Sequence, residues 1–343
     1  MSEWLDKIRA LGATLNDSGD RILHVADRES ETRLTPLVHQ GVFSVQGPDA
    51  EKFLQGQLSC DLKDVSTLGS RLGAHCNIKG HMHSLVRVMR AQDGFWLRGQ
   101  RDLLPNTQTL LKKYMVFSKA QATDLSDDLV GLGCSGPGAA VLVEKVLGQV
   151  PSEVDGVYAS EGMLAVRVPG KRFEIWLPKA QALTLLPELI EFAPLGTTDR
   201  WELDEIRAAI PDLRAETVEG FIPQMTNLQA LHGVSFTKGC YTGQEIVTRL
   251  QHRGQLKRPM YRASVTCDSR PVPGTMLYSA DKDNVGKVVL AAPCAEGQFE
   301  LLAVIVKDLA ESTPILLGSQ SGPALTLLDL PYELDPELFQ SKR

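Results

Sequence analysis

The chain has 343 residues, 23% charged and 43% hydrophobic, the values of an ordinary globular protein long enough for two or three domains with cores of their own. A formal net charge of -6 excludes a surface coated for nucleic-acid binding, though not a local basic strip. No basic N-terminus leads into an apolar run, and no stretch approaches the ~20 apolar residues of a membrane span, so a cytoplasmic protein with no membrane contact is expected.

In chain order, Trp4, Leu5, Ile8 and Leu11 share one face of a short helix, as a packing element would, and the polar residues 16–35 read as a mobile connection. A strand over 42–46 runs into Gly47-Pro48-Asp49-Ala50 and a helix carrying Phe53 and Leu54, with Asp49 able to cap. The pattern recurs at 130–134, Gly136-Pro137-Gly138-Ala139 and a helix carrying Val141, Leu142 and Val146, which predicts two similar α+β lobes. Between them, 84–91 and 95–97 form a hairpin around Gln92-Asp93-Gly94, followed by a helix over 102–113. The second lobe adds strands near 163–168 and 173–177 and helices near 180–192 and 201–210. From residue 258, short β runs at 260–266, 275–279, 286–291, 300–306 and 325–328, separated by Pro, Gly and Asp, predict a small antiparallel barrel. The division expected is an N-terminal extension (1–35), a first lobe (36–128), a second lobe (129–220), a motif segment (221–257) and the barrel (258–335).

The most informative stretch is Lys238-Gly239-Cys240-Tyr241-Thr242-Gly243-Gln244-Glu245. Thr242 and Glu245 have capping-box spacing and Ile246, Val247 and Leu250 follow, so a helix is expected to open at Gly243 with Cys240 just ahead of it. Free helical N–H groups, the dipole's positive end and the Lys238 ammonium would favour a thiolate there, the form that attacks electrophiles or binds iron. A small packed thiol in a Gly-rich loop is the alternative. The six cysteines, Cys60, Cys76, Cys134, Cys240, Cys267 and Cys294, form no Cys-x-x-Cys pair, so a self-contained zinc or cluster motif is excluded and structural disulfides are not expected. His81 and His83 at strand spacing, with Cys76 nearby, lack a further local ligand, and no resident metal is expected. His232 and His252 bracket the octapeptide and read as satisfied histidines that could tune Cys240 if the fold brought them close.

Residues 220–258, from Gly220-Phe221-Ile222-Pro223-Gln224 through Thr226-Asn227-Leu228-Gln229-Ala230-Leu231 and the octapeptide to Arg253-Gly254 and Lys257-Arg258, closely resemble the bacterial folate-binding YgfZ family. The resemblance extends to Asp49-Ala50-Glu51-Lys52, Gln55-Gly56-Gln57, Ala74-His75-Cys76 with Lys79-Gly80, and Leu111-Lys112-Lys113-Tyr114 with Val116-Phe117-Ser118-Lys119. That family is linked to tRNA modification and to maintenance of iron–sulfur enzymes. Its fold is similar to that of the folate-dependent aminomethyltransferase of glycine cleavage. The resemblance therefore implies an α+β, aminomethyltransferase-like architecture, two α+β lobes and a C-terminal barrel around a central folate pocket.

It also implies tetrahydrofolate or a one-carbon derivative as cofactor. Trp201 matches a tryptophan that stacks on the pterin, Gln40 stands where the family has a second tryptophan, and Asn227 and Arg253 complete the implied folate set. Of the basic run Lys238, Arg249, Arg253, Lys257 and Arg258, three readings stay open: a solvated face, a clamp for the folate's glutamate tail, or a patch for RNA phosphates. Ser84 and Leu85 occupy the places of the aminomethyltransferase's acidic pair, so that reaction is not expected. The implied role is an accessory factor for iron–sulfur proteins, rather than a self-sufficient enzyme, that affects tRNA thiolation indirectly. Cys240 would be its reactive centre or a transient cluster ligand, Lys238 would support the thiolate, and Gly239, Tyr241, Gly243, Gln244 and Glu245 would shape the loop. Iron–sulfur enzymes or cluster carriers are the expected partners, and a monomer is expected. A folate-dependent one-carbon transferase and a tRNA-binding module are the rival readings.

Overall fold

A computed structural model describes residues 1–340, which divide into two compact units. The first comprises 1–54, 62–71 and 86–201, and the second 55–61, 72–85 and the chain from 202 onward.

The first unit holds both strand, Gly-Pro, helix repeats. Strand Gln40–Gln46 leads through Gly47-Pro48 into helix Ala50–Gln55, and strand Leu129–Ser135 leads through Gly136-Pro137 into helix Ala139–Leu147. Gly47 and Gly136 both have positive φ, 117° and 91°, and a Cβ at either would strike a backbone carbonyl, of Lys119 and Glu31 respectively. Only glycine turns the chain there.

Each repeat strand is second from an edge of its five-stranded sheet. Leu129–Ser135 lies between Arg33–Pro36 and Arg172–Pro178, with Met163–Val168 and Val157–Ser160 beyond. Gln40–Gln46 lies between Gln121–Asp124 and Gly94–Gln100, and residues 87–91 pair with the latter. The edge strands are exchanged. Arg33–Pro36, which precedes the first repeat, pairs with the second (Arg33 opposite Ser135), whereas Gln121–Asp124, which precedes the second, pairs with the first (Gln46 opposite Gln121).

The polar run 16–35 is therefore not the mobile connection its composition predicts. Ile22 lies in a two-stranded pairing of Thr14–Leu15 with Ile22–His24, Leu34 is in the sheet edge, and both are buried. Two apolar residues among many polar ones suffice to dock it. The lead-in helix Ser2–Ala10 buries Trp4 and Ile8, as their four-residue spacing predicts. The two-residue hairpin turn at Gln92-Asp93 is present, joining Ala91 to Gly94. Strand Leu129–Ser135 carries glycines where two tryptophans press against it: a Cβ on Gly131 would come within 2.6 Å of Trp176, and one on Gly133 within 2.6 Å of Trp201.

In the second unit the β runs form a six-stranded antiparallel sheet ordered Leu316–Leu317, Met276–Ser279, Lys282–Ala295, Gln298–Ile305, Met260–Thr266, Thr326–Leu328. It curls as the expected barrel does, over a core of residues such as Val265, Leu277, Val288, Leu301 and Ile305. The helix expected over 201–210 runs Thr198–Arg207 instead, stopping ahead of Ala209, whose φ of 49° breaks helical geometry.

Candidate functional site

Three segments far apart in sequence, 55–61, 72–85 and 220–258, lie in the second unit and assemble around the octapeptide. Ser59 is the first tie: its N–H donates to Ala74 O (2.9 Å), its hydroxyl donates to Gly233 O (2.6 Å) and accepts from Ala74 N (2.9 Å), and its carbonyl accepts from Ser235 N (2.9 Å). Lys238 is the second. Its ammonium donates to the carbonyls of Leu58 and Cys60, each at 2.7 Å, and lies 5.0 Å from the centroid of the Tyr241 ring. The residue is only 8% exposed, and burial pulls its pKa down to about 8 against the opposing pull of Cys60 and Asp61. Thr242 N donates to Gly56 O (3.2 Å), a third tie.

Gly243 is the fourth. At φ 83° it packs on the turn after the buried strand end at Cys76, where a Cβ would come within 2.5 Å of Asn77 O and 2.9 Å of Cys76 Cβ. Helix Gln244–Arg253 starts immediately afterwards. Gln224 Nε2 donates to Val247 O from below (2.6 Å), and Asn227 uses both ends of its amide on Met260, donating to its carbonyl (2.8 Å) and accepting from its N–H (3.2 Å). The signature segment is thus a clasp joining the helix to the first barrel strand.

The loop ahead of the helix presents Cys240 outward. Cys240 alone of the six cysteines is exposed, whereas Cys60, Cys76 and Cys134 are buried, and burial pushes the Cys76 thiol up to about 12. Cys240 is therefore the thiol most open to an outside electrophile, thiol or metal carrier, Cys267 and Cys294 being half-buried, while Cys76 is held in its inert protonated form.

Several expectations at the octapeptide need correction. The Thr242/Glu245 capping box is absent: no side chain caps the helix, Glu245 is exposed, and Gly243 is the N-cap residue. A left-handed backbone at Gly243 replaces the extended N-cap conformation that a Thr242 cap would need. Gln244 closes the turn instead, accepting from Tyr241 N at 3.3 Å. Gly239 needs no glycine conformation and has open space where a Cβ would be. Lys238 spends its ammonium on two carbonyls and an aromatic face, which makes it the anchor of the Cys240 loop in this geometry. Tyr241 is buried beneath, its hydroxyl without a hydrogen-bond partner among the described residues and its pKa raised by burial.

The implied folate residues are dispersed. Trp201, 1% exposed, lies in the first unit with the Arg172 guanidinium 4.5 Å over its ring and Gly133 packed on it, so its stacking surface is used internally, while its Nε1 finds no partner among the described residues. Gln40, also in the first unit, is buried with Oε1 unpartnered. Asn227 is committed to Met260, and Arg253 ends its helix exposed.

His75 is buried, its ring 5.7 Å from that of His83. Burial first, then His83, lower its pKa to about 4, so it is neutral at physiological pH. His83 Nδ1 lies 3.3 Å from Glu219. His252 packs edge-on to Phe236, and His232 is exposed. No group of three or more His, Cys, Asp or Glu among the described residues is placed to hold a metal ion, and no described helix is long and apolar enough to cross a membrane.

Sequence reasoning missed the carbonyl acceptors of Gly56, Leu58 and Cys60 and the hub at Ser59. Backbone acceptors leave no side-chain signature, and the family-like Gln55-Gly56-Gln57 was the one available signal.

No family model matches the chain. Curated relatives do: the tRNA-modifying protein YgfZ of Photobacterium profundum is 36% identical over 319 residues, spanning 91% of this chain and 95% of the relative. The protein of the same name from Pectobacterium atrosepticum is 34% identical over 317 residues, 91% of this chain and 95% of the relative. Among solved structures, the glycine cleavage system aminomethyltransferase T from Bartonella henselae superposes with a TM-score of 0.75 at 16% identity, covering 95% of this chain and 96% of that one. That likeness establishes the aminomethyltransferase-like fold.

Proposed function

The chain belongs to the YgfZ family of tRNA-modifying proteins, and on that premise we propose that it acts in tRNA modification as a folate-binding accessory factor for iron–sulfur proteins, supporting cluster-dependent tRNA methylthiolation. The observation that carries the reading is the clasp: four ties converge on a loop whose outward group is the one exposed thiol of the chain. A rigid loop presenting a single thiol suits an exchange with a partner, as a transient cluster ligand or a nucleophile, better than a self-contained catalytic centre. Ser84 and Leu85, both buried and neither acidic, argue in the same direction.

Tetrahydrofolate or a one-carbon derivative fits two residues of the first unit. Gln40 Oε1 and Trp201 Nε1 are a buried acceptor and a buried donor without partners among the described residues, and a pterin's donors and acceptors would satisfy such groups. Bound there, a one-carbon derivative would supply a one-carbon unit, which tetrahydrofolate itself does not carry. Trp201 contributes through its edge, since Arg172 covers its ring.

The test is complementation of a strain lacking its resident family member. Wild-type protein, Cys240→Ala, Lys238→Ala and Trp201→Ala are compared for tRNA methylthiolation and for the activity of an unrelated iron–sulfur enzyme. Cys240→Ala is expected to lose both readouts while its thermal midpoint is unchanged. Full rescue by Cys240→Ala overturns the reading, and loss of the tRNA readout alone replaces it with a dedicated tRNA factor.

A further inference from the structure

Two family-like segments, Asp49-Ala50-Glu51-Lys52 and Leu111 through Lys119, take no part in the clasp. The first unit brings them together. Helix Leu104–Met115 buries Leu104, Thr107, Leu111 and Met115 on one face. Its C-terminus then breaks, with Ser118 N donating to Met115 O (2.9 Å). The loop beyond is pinned in both directions by Asp49: Lys119 N donates to Asp49 Oδ2 (2.7 Å) and Asp49 N donates to Lys119 O (3.2 Å). Gly47, which only glycine can fill, lets that carbonyl approach.

What this braced loop holds outward is unusual for a soluble surface. Phe117 is 95% exposed, Val116 76% and Tyr114 52%. Lys112, Lys113 and Lys119 are exposed beside them in sequence, and none of the three ammonium groups is paired with a carboxylate among the described residues. Lysines in the last turn also complement a helix dipole, which accounts for Lys112 and Lys113 but not for two large apolar side chains turned to water on a fixed loop. Exposed rings interleaved with unpaired cations form a stacking platform with phosphate contacts, the recurring chemistry of single-stranded nucleic-acid binding.

We propose that the braced loop 116–119, with Lys112, Lys113 and Tyr114 in the last turn of the preceding helix, is a docking surface for an unpaired loop of tRNA, with a base stacked on Phe117 and the three lysines on flanking phosphates. This goes beyond the accessory role above, in which tRNA is reached through cluster-dependent enzymes. It places the protein on the RNA those enzymes modify. A local positive cluster on a chain of net charge -6 would orient the encounter.

The test is binding of an unmodified tRNA transcript to the full-length protein alone, by fluorescence anisotropy over a range of salt, so the outcome does not depend on whether Cys240 is reactive. Phe117→Ala is expected to weaken binding roughly 5- to 150-fold and Phe117→Trp to keep it. The triple change Lys112→Gln, Lys113→Gln, Lys119→Gln is expected to flatten the slope of log affinity against log salt by about 2. A duplex RNA of equal length should bind more weakly than the transcript. Circular dichroism melts check that each variant is folded, as changes at exposed side chains should leave it. Failure of the wild-type protein to bind the transcript overturns the proposal, as does wild-type binding by both variants. Equal binding of duplex and transcript reduces the surface to phosphate attraction and also overturns it. Loss with Phe117→Ala while the triple lysine variant keeps the wild-type salt slope would also overturn it, because the lysines would then make no phosphate contact.

Discussion

Gly239 and Gly243 both flank the exposed thiol, yet they answer to different physics. Gly243 sits at φ 83° with no room for a Cβ, so Gly243→Ala combines backbone strain with a clash and is expected to destabilise by about 2–4 kcal/mol. Gly239→Ala, at a position with open space, is expected to stay within about 0.5 kcal/mol of wild type. Urea midpoints of the two variants check the contrast, and equal losses would contradict it. Lys238 makes a pH prediction. Its folded pKa of about 8 lies below the ordinary 10.5, so between those values the unfolded chain binds more protons than the folded one. Folding stability from this group therefore rises with pH across that window, and its burden is full below about 8. The unfolding midpoint of wild type should rise from pH 8 to 10 relative to that of Lys238→Met, and parallel profiles would refute the assignment. The octapeptide was legible as a motif, but Lys238's role was not, because its partners are main-chain carbonyls that any residue could supply.

At the scale of elements, Asn227 is the joint between the clasp and the first barrel strand. Asn227→Ala strands the buried N–H and carbonyl of Met260 together and is expected to cost about 2–4 kcal/mol, read as a lower denaturant midpoint with an unchanged slope. Asn227→Asp, which sets a buried carboxylate against the Met260 carbonyl, should lose at least as much. The barrel runs, the hairpin at Gln92-Asp93 and both Gly-Pro turns were readable because period-2 alternation and turn residues are local signals. Strand Arg33–Pro36 was not, since its short apolar content is decided by a partner strand about a hundred residues away. The capping-box spacing places the start of helix Gln244–Arg253 one residue early for the same reason. Packing of Gly243 on the Cys76 turn, not a cap, decides where it begins.

At the scale of the whole molecule, the first unit carries a charge pair inside its sheets. Glu174, fully buried, accepts from Nε and Nη2 of Arg98 and from Trp176 Nε1. Burial alone would raise its pKa, but Arg98, the nearby Arg87 and these hydrogen bonds prevail and hold it below the carboxylate range. Its contribution is complete above the ordinary 4.5 and lost as pH falls through the lowered folded value. Glu174→Gln should cost about 3–5 kcal/mol at neutral pH by removing the buried carboxylate that Arg98 and Trp176 donate to, and should blunt the acid-induced fall in stability. The exchanged edge strands bear on how such a protein is made. Because Arg33–Pro36 completes the second repeat's sheet and Gln121–Asp124 the first's, a ribosome that has released only the first repeat holds an unfinished edge at residue 34 with nothing to pair it. A fragment ending at residue 128 has every strand of the first repeat's sheet but leaves the strand at 33–36 without its partner, so it should self-associate through that edge, read as concentration-dependent sedimentation that is lost once the strand ending at Ser135 is included.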